Sequence, residues 1–408
     1  MMQREDVPSG ITFDEAQAIV DRVAAAHRLP IESLAIARTH GRILAQEVVA
    51  PIAQPPFDNS AMDGYAVRHA DLSHAGETTL SLAGEQFAGR ALGLRVAPGT
   101  CIRITTGAPL PEGADTVVIR EAVRLEGDSV VMPAAVREGA NIRRAGEDVH
   151  IGDRVFAPGI VLTPTRVATA ASLGFDRLDV ATRPTVAVFT TGDELVPPGM
   201  PLAPGEIHDS NRELLMGLLR ADGLEPTAWP VLPDVPARIA SVLRDAASSF
   251  DVVITCGGVS AGEKDHLPDM LAAHGDVHFW KVRMKPGMPL LFGTLDRARF
   301  VGLPGNPVSV FATYVTLGRR LLDGLQGRTE ARRTWHARLS APIEKPHARR
   351  EFQRGQLLAG EDGTLQVHPD PDTGSHRLRA AAAADALIVV PDGPQSLPIG
   401  AVVEVLPY

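Results

Sequence analysis

The chain has 408 residues, with 40 Lys plus Arg against 49 Asp plus Glu and a net charge of −9. That balance lacks the basic surface on which non-specific binding to nucleic acid or anionic membrane depends. The length suits roughly two to four domains and excludes a lone binding module. An apolar share of 44% excludes disorder and collagen-like structure, while 38 glycines and 33 prolines predict many tight turns between short strands.

Two cysteines, Cys101 and Cys256, sit in separate apolar runs, so neither a disulfide framework nor a thiolate zinc site is expected. The opening MMQREDVPSG lacks a basic segment followed by an apolar one. No run approaches the roughly 18 apolar residues of a membrane helix, and a cytoplasmic protein is the expectation.

In chain order, Thr12 and Glu15 have capping-box spacing before Ala16, Ile19, Val20 and Val23, which predicts a first helix. Between about residues 57 and 146, short β-rich runs (TTLSL, CIRIT, DTVVI, SVVM) are separated by Gly, Pro and Asp, which predicts an inserted β domain. A second helix is predicted after Thr163, with Pro164 at its first position. From Arg183-Pro184 strands and helices alternate: TVAVFTTGDEL, a helix capped by Ser210 and Glu213, a strand near AWPVL, a helix through Ile239 and Leu243, DVVITC with another helix, and FVGLPGNP leading into a last helix. Alternation of this kind predicts a mostly parallel, doubly wound sheet with ligand sites at the C-terminal ends of its strands. After about residue 332 short strands return, and the tail is expected to be a small β barrel. The fold class is therefore multidomain α/β plus β. The expected units are an N-terminal helical linking domain (1–51 with 147–182), an inserted β-rich domain (52–146), an α/β domain (183–332) and a C-terminal barrel (333–408).

Candidate chemistry lies where loops follow strands. In GLPGNP (302–307), Gly302 and Gly305 let backbone approach a ligand, Asn306 can cap and Pro307 suits a first helical position. Such a loop fits an anion or an ordinary capped turn. CGGVSAGEKD (256–265) sets Gly257, Gly258 and Ser260 beside Glu263, Lys264 and Asp265. This suits a magnesium-bridged phosphate, unless Asp265 only caps the next helix. Thr190, Thr191, Asp193 and Glu194 end one strand, and Asp234 precedes a helix, where it reads as an N-cap by the same rule. Lys281, Arg283 and Lys285 alternate in FWKVRMKPGMP, as a cationic strip for an oxyanion or as a solvated strand edge. FDNSAMDGYA (57–66) is too polar for a core strand, and NIRRAGED (141–148) pairs Arg143 and Arg144 with Glu147 and Asp148, as an oxyanion clamp or a loop ion pair. The 13 histidines show no metal spacing, and no Walker loop, GxSxG or GxGxxG with its acid occurs.

These segments, in this order, resemble the molybdopterin molybdenumtransferase family, bacterial relatives of the gephyrin E-domain. The resemblance spans nearly the whole chain: PPFDNSAMDGYAV, RITTGAPLPEGADTVV, NIRRAGED, FTTGDEL, HDSNR, GGVSAGEKD, FWKVRMKPGMP, GLPGNPVS, EFQRG and GSHRL. It implies insertion of molybdenum from molybdate into the dithiolene of adenylated molybdopterin, with release of AMP and with a divalent cation, usually Mg²⁺. It makes the α/β unit a molybdopterin-binding domain. Glu194, Asp234 and Asp265 match the family's nucleotide and cation positions, beside Lys281 and Lys285. Lys285, Ser309, Arg354 and Ser375 match the positions that cradle molybdate, with Pro289 shaping that shelf. Asp58, Thr106, Arg143 and Asp148 match functional positions of the first half. The resemblance further implies an elongated homodimer with an active site shared between chains, and as partners the molybdopterin adenylyltransferase and acceptor molybdoenzymes.

This chain departs from the family pattern in places. Met288 stands where many relatives carry a second lysine, removing a positive charge from the suspected shelf. His208 replaces a tyrosine, Asp385 an asparagine, and Asp234 lacks a neighbouring second aspartate. A carrier or scaffold without turnover is the rival class of function, and tungstate the rival oxyanion.

Overall fold

The computed structural model describes residues 7–260, 262 and 265–408; Ala261, Glu263 and Lys264 of the CGGVSAGEKD loop lie outside the described residues. Near the N-terminus, strand Ser9–Ile11 runs parallel to Gly275–Val282 at the edge of the central sheet. Helix α1 (Phe13–Ala26) begins with the predicted capping box: the Thr12 hydroxyl accepts from Glu15 N–H at 3.2 Å, and the Glu15 carboxylate accepts from Thr12 N–H at 2.7 Å. Its apolar stripe of Phe13, Ala16, Val20 and Val23 enters the core of the α/β unit.

Strand Ile31–Ala35 pairs antiparallel with Arg177–Ala181, which follows α2 (Pro164–Ser172). Leu44, Leu162, Val167 and Val180 close a small core there, so distant segments build one linking unit. The chain between them forms a six-stranded sheet around Tyr65, Leu80, Cys101, Val118 and Val130. Burial pushes the Cys101 thiol up to about 12, and it behaves as a small apolar side chain.

The central sheet has seven strands, in the order Ser9–Ile11, Gly275–Val282, Leu291–Leu295, Ala298–Leu303, Val252–Cys256, Val186–Thr190 and Thr227–Ala228. The last four are mutually parallel, whereas Leu291–Leu295 runs antiparallel to both its neighbours. A hairpin thus replaces the helical crossover that an all-parallel sheet would need. Helices α3 (Ser210–Ala221), α4 (Pro236–Ser249), α5 (Leu267–His274), α6 (Pro307–Thr313) and α7 (Arg319–Leu325) cover both faces, with α3, α6 and α7 joining α1 on one and α4 and α5 on the other. The cap of α3 differs from the expectation. Asp209 holds the N-cap position and accepts from Arg212 N–H at 3.1 Å, because it stands one residue before Ser210 at the turn where the helix starts.

Five strands, Trp335–Leu339, Arg350–Ala359, Leu365–Pro369, Ala386–Val390 and Val402–Pro407, close into the C-terminal barrel, with α8 (Leu378–Ala382) on its outside. Closure leaves one stretch of edge, at Arg350–Glu351, where Leu365–Pro369 does not reach. The short strand Met284–Lys285 of the α/β unit pairs parallel with Arg350–Glu351 of the barrel.

Candidate active site

The strand order reverses between Val186–Thr190 and Val252–Cys256, since the next strand in sequence lies outside the first and later ones inside the second. At such a switch point the loops leaving neighbouring strands part and open a crevice. A cleft of about 770 Å³ lies there, and the barrel supplies its far wall.

Glycine builds one side of it. Gly257 and Gly258 have φ of +95° and +68°, and a Cβ on Gly257 would stand 2.8 Å from the Thr191 carbonyl oxygen. The loop therefore turns with its backbone exposed to the cleft. Glu194, Asp234, Asp265 and Ser260 line the same side. Neither aspartate acts as a helix cap. The N-caps of α4 and α5 are Val235 and His266, without side-chain caps; instead the Thr191 hydroxyl donates to Asp234 at 3.1 Å, and Gly262 N–H donates to Asp265 at 2.9 Å. Each carboxylate is thereby held by one oxygen, and its other oxygen has no hydrogen-bond partner among the described residues.

GLPGNP forms the floor. Asn306 occupies the N-cap of α6 but makes no capping bond; its amide donates to the Ser375 hydroxyl at 2.9 Å, and Val308 N–H donates to the Ser375 carbonyl at 3.1 Å. The floor is thus fastened to the barrel. Asn211, from HDSNR, donates to the Gly305 carbonyl at 2.7 Å, and its buried carbonyl oxygen has no partner among the described residues.

The opposite side is basic. Lys285, Pro289, Ser309, Ser375 and Arg349 line it, with Met288 exposed among them. Arg349 makes no ion pair among the described residues, its guanidinium resting 3.9 Å from the Met288 sulfur. Reading EFQRG alone overlooked this arginine, which lies just upstream of that motif; the adjacent basic pair Arg349-Arg350 was the available signal.

Arg354 does not serve the cleft as expected. Its side chain is 3% exposed, paired with Asp370 at 2.9 Å and donating to the carbonyls of Asp372 and Gly374. With its donors spent on that loop, it shapes the segment that carries Thr373 and Ser375. Lys281 is also absent from the cleft wall. Its φ of +67° breaks the strand alternation, Lys285 lies in a separate strand, and the Lys281 ammonium lies 4.1 Å from the centre of the Trp280 ring.

Asp58, Thr106 and Arg143, within 52–146, and Asp148, just beyond it, stand outside this cleft. Asp58 accepts from Ala145 N–H and pairs with Arg144 at 2.7 Å; the backbone donor, then Arg144, hold its carboxyl below the usual range. Arg144 is thus spent in a local ion pair. Asp63, not singled out in the sequence, accepts from both the N–H and the hydroxyl of Thr106, each at 2.8 Å.

The cleft therefore joins a glycine-rich, carboxylate-lined side to a side offering ammonium, guanidinium and hydroxyl donors. The first suits a cation-neutralised phosphate and the second a tetrahedral oxyanion. No helix among the described residues is long and apolar enough to cross a membrane.

Comparison with known proteins agrees along the whole chain. Residues 11–174 match the family described as MoeA N-terminal region (domain I and II), 187–323 the probable molybdopterin binding domain, and 336–408 the MoeA C-terminal region (domain IV). A molybdopterin molybdenumtransferase of Haemophilus influenzae is 39% identical over 92% of this chain and 94% of its own length. Molybdopterin molybdenumtransferase 2 of Mycobacterium tuberculosis is 38% identical over 93% and 95%. The crystal structure of a molybdopterin biosynthesis moeA protein from Pyrococcus horikoshii superposes with a TM-score of 0.84 at 28% identity, covering 98% of this chain and 100% of that one. With three successive domain families matched in order and relatives aligned nearly end to end, the chain belongs to the molybdopterin molybdenumtransferases, a family of transferases.

Proposed function

We propose that this chain, whose family gives it a role in molybdenum cofactor biosynthesis, inserts molybdenum from molybdate into the dithiolene of adenylated molybdopterin and releases AMP. The observation that carries the reading is the meeting of two unlike sides in one cleft: Glu194, Asp234 and Asp265 beside Gly257 and Gly258, and Lys285, Arg349, Ser309 and Ser375 opposite.

The glycine-loop N–H groups would receive the phosphates of the adenylated pterin, and Asn211 would meet a donor with its free carbonyl oxygen. Lys285, Arg349 and the hydroxyls of Ser309 and Ser375 would hold molybdate, with Arg354 acting only through the 370–375 loop. Among the described residues Glu194, Asp234 and Asp265 do not gather into a three-ligand metal group, so a divalent cation such as Mg²⁺ would use one unpartnered oxygen of Asp234 or Asp265 with substrate phosphate and water, and would supply charge neutralisation at the leaving AMP. The protein's main contribution is to bring two anions together out of water. Asp58, Thr106, Arg143 and Asp148 would serve the cleft of a second copy. The exposure of Phe57 and Met62 in the same segment supports a shared-site homodimer.

The test is AMP release from adenylated molybdopterin by purified protein with Mg²⁺, with and without molybdate, scored also by reactivation of a molybdenum-free apoenzyme. Molybdate-dependent release with reactivation is the expected result. Tight pterin binding without either would replace the insertase by a carrier.

A further inference from the structure

Beneath the oxyanion side lies a carboxylate to which neither the sequence motifs nor the proposed reaction assigns a role. Glu351 is 4% exposed, and it sits cross-strand from Lys285 in the register that joins the barrel to the α/β unit. One of its oxygens is 2.9 Å from the Lys285 ammonium, and the other is 3.0 Å from His347 Nε2. Lys345, buried beside them, donates to the backbone carbonyls of His347, Arg349 and Gly393, and so pins the turn from which Arg349 projects. A buried carboxylate is costly unless paired, and this one is matched to the single lysine of the described cleft wall.

We propose that Glu351 is a positioning residue for the oxyanion: it aims the Lys285 ammonium into the cleft and offsets part of its charge, so that the shelf holds a tetrahedral dianion without trapping it. The inference rests on the reading of this shelf as the molybdate site. An ammonium has three donors; Glu351 takes one, which leaves Lys285, a residue of the cleft wall, two for an anion. With Lys285 counterbalanced, Arg349 carries the unopposed positive charge among the described shelf residues. Excess ground-state grip on a reactant lowers KM without raising kcat, and slows any step in which that reactant must move. Glu351 limits that grip.

Three variants separate charge from aim. Glu351→Gln keeps an oxygen to accept from Lys285 but removes the counter-charge, so the KM for molybdate should fall roughly threefold or more, with a lower kcat and a steeper loss of binding with salt. Glu351→Ala removes acceptor and charge together, leaves Lys285 unaimed, and should raise that KM. In a Lys285→Ala background, Glu351→Gln should no longer shift KM, because the effect runs through the ammonium. A melting curve for each variant separates misfolding from these shifts, since a merely structural ion pair would lower stability without dividing KM from kcat. An unchanged or raised KM in Glu351→Gln, with the wild type saturating normally, overturns the inference alone. A wild-type protein that molybdate neither saturates nor activates overturns the reading of the shelf, and the inference with it.

Discussion

At the scale of single residues, the two arginines separated by four positions divide the labour. Arg349 faces the cleft without a carboxylate, whereas Arg354 is enclosed by Asp370 and two carbonyls. Arg349→Ala should therefore raise the molybdate concentration needed for half-maximal AMP release by about tenfold, the loss of one charge-assisted contact, and leave the melting temperature near the wild-type value. Arg354→Ala should instead cost about 2 kcal/mol of stability, because it leaves the half-buried Asp370 carboxylate and two carbonyls without their donor, and urea unfolding would read that loss. Sequence motifs placed most of the cleft residues but assigned the oxyanion role to Arg354. The reason is physical: a motif shows that an arginine is present but not where its side chain packs, and here Arg349, in the bend before strand Arg350–Ala359, reaches the cleft while Arg354 within the strand meets a loop. The Lys281 expectation failed for a related reason, since alternation presumes continuous strand geometry and the backbone leaves it at that residue. Met288→Lys should place a second ammonium on the shelf and lower the molybdate requirement, and equilibrium dialysis against molybdate would report the change.

Elements carry these residues, and their own chemistry sets how firmly. The turn after Lys285 holds Gly287 at φ +105°, where a Cβ would stand 2.3 Å from the Thr313 methyl. Gly287→Ala should thus push the turn off α6 and impair melting temperature and molybdate use together, whereas Met288→Lys on the same turn should change only the latter. Farther from the cleft, Glu330 accepts two bonds from Arg166 of α2, at 2.8 and 2.9 Å, and tethers the approach to the barrel to the linking unit. The Arg166 guanidinium lowers the Glu330 carboxyl from 4.5 to about 2. Because the folded value lies below the unfolded one, this stabilisation is full above about pH 4.5 and is lost as pH falls toward 2. The gap in urea midpoint between wild type and Glu330→Gln should accordingly be widest near neutrality and shrink below pH 4.5. The first helix, the β-rich insertion, the alternating core and the closing barrel were all legible from caps, turn residues and periodicity. The antiparallel strand Leu291–Leu295 was not, because an apolar run reads the same in either direction and only its short connections betray a hairpin.

For the whole molecule, the distance between two sets of functional candidates is the informative fact. One set lines the cleft, and the other, with Asp58, Thr106, Arg143 and Asp148, stands outside it on loops and a two-residue strand of the first half. If two copies complete each other, mixing inactive Asp58→Asn and Asp265→Asn proteins under conditions that exchange subunits should restore roughly a quarter of wild-type activity, since half the dimers are mixed and each regains one intact site. No recovery in verified mixed dimers would make each chain self-sufficient. The joint at Ser375 and at the Lys285 strand carries a different consequence. The cleft belongs wholly to neither folded unit: its glycine and carboxylate side is written in the α/β core, while Arg349, Thr373 and Ser375 are contributed from beyond residue 333. On the proposed reading, a gene product shortened there would keep Lys285 and Ser309 but forfeit the guanidinium and the second serine of the oxyanion shelf.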